Sequence, residues 1–103
     1  MPKSLYEWLD QIEARPGMYL PSASFAMLET FIAGYESALM THGSVEQCTP
    51  PFMRFGEFVT TRLKARHDSQ FGAPAWQRSI ADSAISDGDA FALFFKLLRE
   101  FRA

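Results

Sequence analysis

The sequence predicts an all-α fold of about five helices in a single domain spanning residues 1–103, and three observations carry that expectation. The apolar residues are ten Phe, nine Leu and thirteen Ala against only two Val and four Ile, a mixture that favours helices over sheets. Apolar positions recur at three- and four-residue spacing in several segments. Ser-x-x-Glu and Ser-x-x-Asp pairs open the first and last of these, each able to satisfy free N–H groups at a helix start. The length suits one hydrophobic core and leaves no room for a second. An apolar fraction of 48% and a charged fraction of 21% place the chain among ordinary globular domains.

Each element follows from local chemistry. Ser4 and Glu7 form the first capping box, and Leu5, Trp8, Leu9 and Ile12 share one helical face. That helix must end near Ala14, because the residue before a proline is pushed out of the α region. Pro16-Gly17 then suits the centre of a type II turn. Met18-Tyr19-Leu20 is closed by Pro21, and Ser22 or Ser24 can cap a second helix running to about Met40. Phe25, Leu28, Ile32, Tyr35 and Leu39 line one face of it, and Met27, Phe31, Gly34 and Ala38 widen the apolar stripe. It is therefore expected to be the central helix. Gly34 costs about 1 kcal/mol relative to Ala in a helix interior, so a close crossing by another element is expected there.

Thr41 to Pro51, with Gly43 and Pro50-Pro51, reads as a loop. A third helix places Phe52, Phe55, Val59 and Leu63 on one side, and Arg62, Lys64 and Arg66 suit its negative end. Asp68 to Pro74 is a second loop, with Pro74 in the first turn of a short helix bearing Trp76 and Ile80. Ser86 and Asp89 cap the last helix, whose Phe91, Phe94, Phe95, Leu98 and Phe101 keep helical spacing. No internal repeat or linker is visible.

Composition narrows the function classes. A net charge of −2 argues against nucleic-acid binding, which draws its affinity from neutralising phosphates. Charge is unevenly shared: residues 1–50 hold two basic and six acidic side chains, residues 51–103 eight basic and six acidic. No apolar run reaches the ~20 residues a bilayer span needs, and Met1-Pro2-Lys3-Ser4 lacks a signal-peptide core, so a cytoplasmic protein that does not enter membranes is expected. Cys48 is the single cysteine and cannot form an internal disulfide. His42, His67 and Cys48 show no metal-ligand spacing, so no metal, no cofactor and no catalytic set is expected.

The remaining candidates are contacts for another protein. Glu29 and Glu36 are seven residues apart on one side of the second helix, about 10 Å along its axis. With Glu7, Asp10 and Glu13 they can form an acidic edge facing a basic partner, or a solvated edge. An enzyme would require Glu29, Glu36 and His42 to converge in a deep pocket. In Arg15-Pro16-Gly17-Met18-Tyr19, Met18 and Tyr19 can pack beneath the corner while Arg15 reaches carbonyls or a carboxylate. Partner contact by Arg15 and Tyr19 is the other reading of that segment.

Arg15 to Tyr19 is similar to the R-P-G-M-Y-I-G segment of the ATPase subunit of type II DNA topoisomerases. That family requires a Mg-binding Asn on the following helix and glycine-rich motifs beyond it. Glu29 to Tyr35 supplies a Glu without the Asn, and no glycine-rich loop follows. The chain more closely resembles a group of small bacterial proteins carrying I-x-x-R-P-G-M-Y-L-G, then L-x-x-F-x-x-G-Y, a central F-x-x-F, a Trp and a Phe-rich last helix. The positions here are Ile12, Arg15 to Leu20, Leu28, Phe31, Gly34, Tyr35, Phe55, Phe58, Trp76 and Phe91 to Phe101, with Pro21 where the group has Gly. Such proteins resemble those encoded beside polymorphic toxins, which implies an immunity role, that of a binder of a cognate toxin protein. The acidic edge and corner read above then supply Arg15, Tyr19, Glu29 and Glu36 as the expected partner contacts of a protein without catalysis. The alternative is a structural or regulatory domain acting as a homodimer or larger homo-oligomer through surplus apolar surface.

Overall fold

A computed structural model describes residues 4–43, 50–63 and 76–103. They form α1 (Leu5–Ala14), a one-turn α2 (Pro16–Tyr19), α3 (Phe25–Thr41), α4 (Phe55–Arg62) entered through a tight turn at Phe52–Arg54, α5 (Trp76–Ser83) and α6 (Asp87–Arg102), with no strand among the described residues. The fold is all-α, as the composition predicts.

Three serines start three helices. Ser4, Ser24 and Ser86 each hold an extended backbone and accept the N–H three residues on, from Glu7, Met27 and Asp89 at 3.3, 3.3 and 3.1 Å. Each thereby satisfies one of the unpaired donors at a helix start. Helix α3 stops through Gly43, whose φ of 65° lies in the left-handed region a glycine adopts without steric cost. The expected start at Pro74, the residues Lys64, Arg66 and His67, and Cys48 lie outside the described residues.

All these elements except α2 bury side chains in one apolar cluster. Its centre is Phe55, fully buried, whose ring meets Phe52 at 5.2 Å, Trp76 at 5.3 Å, and Phe94 and Phe101 at 5.4 Å between centroids. Most of these pairs are edge-to-face, the arrangement that sets a positive ring edge against a negative ring face.

The centre of the fold is α6 rather than α3. Six α6 residues (Ala90, Phe91, Phe94, Phe95, Leu97 and Leu98) are buried, against only Phe25, Leu28 and Ile32 in α3. Helix α6 packs on α3, α4 and α5, and its last turn also holds α1. Among the described residues no close crossing occurs at Gly34, where a Cβ would meet nothing within 4 Å. It occurs at Gly56 instead, where a Cβ would come 3.0 Å from Cδ1 of Trp76.

Candidate functional site

The Arg15–Tyr19 corner is a one-turn helix, not a type II turn. Arg15 leaves the helical region at φ −143°, ψ 69°, as its proline neighbour requires, although its N–H still reaches the Gln11 carbonyl at 2.9 Å. Pro16 then occupies a first-turn helical position, where its missing N–H costs nothing. The Leu20 N–H closes the turn on the Pro16 carbonyl at 2.8 Å, and Leu20 anchors it in the core.

Met18 turns outward, contrary to the packing expected for it, whereas Tyr19 packs back on α1. Met18 is 66% exposed and Tyr19 36%. Tyr19 lies across α1, its ring edge-on to Trp8 at 6.0 Å and its hydroxyl donating to Oε1 of Gln11 at 2.6 Å. Trp8 in turn meets Phe31 of α3 at 6.3 Å, so one half-buried indole ties the corner to both neighbouring helices. Arg15 points a guanidinium nitrogen at the Met18 sulfur, 3.9 Å away, rather than at a carbonyl or carboxylate. Arginine, methionine and tyrosine are thus presented together, and the tyrosine is already fixed.

Glu29 and Glu36 do not join this corner. At roughly 100° per residue, Glu29 lies about half a turn of α3 away from Phe31, which faces Trp8. Glu29 instead neighbours Asp87 at the start of α6. Partial burial, and then the Asp87 charge, raise its carboxyl above the usual range. Glu36 is exposed farther along α3. The structure therefore brings Arg15 together with Tyr19, and places Glu29 and Glu36 apart from that corner.

Asp87 itself caps α3. Its two carboxylate oxygens accept the N–H groups of Phe25 at 3.0 Å and Ala26 at 3.1 Å, complementing the Ser24 cap. A hydrogen bond with Ser24 does most to lower its carboxyl, partial burial opposes it, and the Ala26 and Phe25 N–H groups lower it further. Sequence reasoning missed this clasp because Asp87 and Phe25 are 62 residues apart.

The acidic edge of α1 is met within the chain. Asp10 accepts from Arg102 at 2.7 Å and Glu13 from Arg99, so these carboxylates hold the end of α6. Arg102 also places its guanidinium 4.5 Å from the centroid of Tyr6, whose hydroxyl donates to the Pro50 carbonyl. Arg62, assigned to the α4 end, bridges to Glu100 at 3.2 Å.

An open groove of about 400 Å³ lies between α4 and the end of α6, lined by Arg54, Glu57, Phe58, Thr61, Arg62 and Phe101. Glu29, Glu36 and His42 are not part of it. Among the described residues, no group of three or more His, Cys, Asp or Glu is placed to hold a metal, and no helix is long and apolar enough to cross a membrane. Comparison with known protein families, characterised proteins and solved structures finds no match.

Proposed function

We propose that this chain is an immunity-type binding protein that neutralises a cognate bacterial toxin in the cytoplasm by forming a complex with it, without catalysis. The observation that carries this reading is the Arg15–Tyr19 corner, which projects Arg, Met and Tyr from a helical turn with the Tyr hydroxyl and ring already held. Arginine and tyrosine are enriched among the residues that dominate protein interfaces. A side chain fixed before binding loses less entropy on association, so a rigid tyrosine suits a tight complex. The resemblance of the same segment to proteins encoded beside toxins supplies the kind of partner.

The test is co-expression with the gene immediately upstream, scoring toxicity, growth rescue and recovery of a stable one-to-one complex. Rescue with a complex weakened by Tyr19→Ala supports the reading. Toxicity without rescue or complex overturns it. A second reading, a homo-oligomeric structural or regulatory domain, is favoured by one further observation: the outward face of α3 is exposed and carries no charged side chain.

A further inference from the structure

The Tyr19 hydroxyl and the Gln11 side chain meet at 2.6 Å between Oη and Oε1. That separation fits an O–H donating to an oxygen, whereas an amide N–H donating to a hydroxyl oxygen sits at about 2.9–3.0 Å. The phenolic proton is therefore committed to Gln11, and the Tyr19 oxygen keeps its lone pairs for an incoming donor. Trp8 holds the ring of the same side chain edge-on at 6.0 Å, so both its body and its tip are placed by α1.

We propose that Gln11 is the positioning residue of the corner and sets its polarity: Tyr19 accepts a hydrogen bond, and the partner protein supplies an amide N–H to it. The proposal rests on the immunity reading above. A partner acceptor would have to draw the phenolic proton away from Gln11 and leave Oε1 without its donor. A partner N–H adds one hydrogen bond and breaks none.

Charge narrows the donor to a neutral one. Arg15 is the residue that opens the same turn, and its guanidinium faces the Met18 sulfur at 3.9 Å with no carboxylate bridged to it among the described residues. An ammonium or guanidinium brought to Tyr19 would meet that cation as a like charge. A neutral amide meets no such repulsion.

Isothermal titration of the protein encoded immediately upstream of this gene with wild type, Gln11→Leu, Tyr19→Phe and the double variant tests the positioning role. Each variant removes one solvent-accessible hydrogen bond and should melt within about 5 °C of wild type, which verifies its fold. Gln11→Leu should raise the dissociation constant about fivefold with Tyr19 in place and less than about twofold beside Tyr19→Phe, because it acts only through the hydroxyl. Equal losses in both backgrounds, or no loss in either, overturn the positioning role. Replacing Tyr19 by 3-fluorotyrosine tests the polarity, since the ring fluorine makes the hydroxyl a stronger donor and its oxygen a weaker acceptor. Binding near pH 6, where phenols are protonated, should weaken about twofold. Unchanged or tighter binding overturns the assignment of the partner as donor. Absence of binding by the wild type overturns the immunity reading and this proposal with it.

Discussion

Removing the Asp87 carboxylate should loosen the joint between α3 and α6. In Asp87→Ala the Phe25 and Ala26 N–H groups lose their acceptors, while Ser24 still holds the Met27 N–H. Loss of a helix-start cap costs about 0.5–2 kcal/mol, and loss of a negative charge at a helix N-terminus about 0.3–1 kcal/mol. These effects overlap at one carboxylate that is largely open to water, so the expected cost is about 1–2 kcal/mol. For a domain of this length that is roughly 4–9 °C in melting temperature. The pH dependence fixes the cause. The folded carboxyl lies below its ordinary range, so the stability it supplies is complete above the unfolded value near 4 and is lost as pH falls through the folded value. Urea titrations of both proteins, followed by far-UV circular dichroism between pH 7 and pH 3, should show the gap between them narrowing at the acid end. Equal stabilities at pH 7, or a gap that does not change with pH, would refute the clasp.

The other expectations are tested by the same unfolding measurements. Glu29 has the opposite sign to Asp87: its folded carboxyl is raised, first by partial burial and then by Asp87, so its favourable contribution is lost as pH rises through the folded value. Glu29→Gln should therefore stabilise the protein at pH 7 by a few tenths of a kcal/mol, given the group's exposure, and show no such gain near pH 4. Gly56→Ala gains helix propensity but drives a methyl against Trp76, itself wedged among Phe25, Phe52, Phe55 and Phe94; a net loss of about 1 kcal/mol is expected in urea. Phe55→Ala should cost about 3–5 kcal/mol and leave the chain largely unfolded at 37 °C, as read by circular dichroism.

The helices were legible wherever the signal was local. Ser4 and Ser86 marked two starts because an N-cap acts over three residues, the pair Ser22 and Ser24 bracketed a third that the structure places at Ser24, and the proline rule placed the end of α1 near Ala14. Pro16-Gly17 misled because a proline fits the start of a helix as well as a turn, and the carbonyl of Pro16 found the N–H of Leu20. The central role given to α3 came from apolar residues spread round its circumference. Residues such as Met27, Gly34 and Ala38 count as apolar in a pattern, yet they are exposed, while the phenylalanines of the last helix make α6 the hub. Among the described residues the close approach falls at Gly56, against Trp76, and not at Gly34, because spacing along the chain does not reveal which helices cross.

The candidate site was legible to about the same depth. The corner at Arg15–Tyr19 stood out in the sequence, but the fixing of Tyr19 depended on Trp8 and Gln11 offering it a ring and an amide. That Asp10 and Glu13 are taken by Arg102 and Arg99 depends on contacts across 92 and 86 residues, beyond any local pattern.

The most direct test of partner binding through the corner is isothermal titration of the protein encoded immediately upstream of this gene with wild type and Tyr19→Ala, both verified as folded. One-to-one binding by the wild type, weakened about thirtyfold or more by losing a pre-positioned aromatic contact worth about 2 kcal/mol, is the expected result. Equal affinities for the two proteins, or no binding by either, would contradict the account.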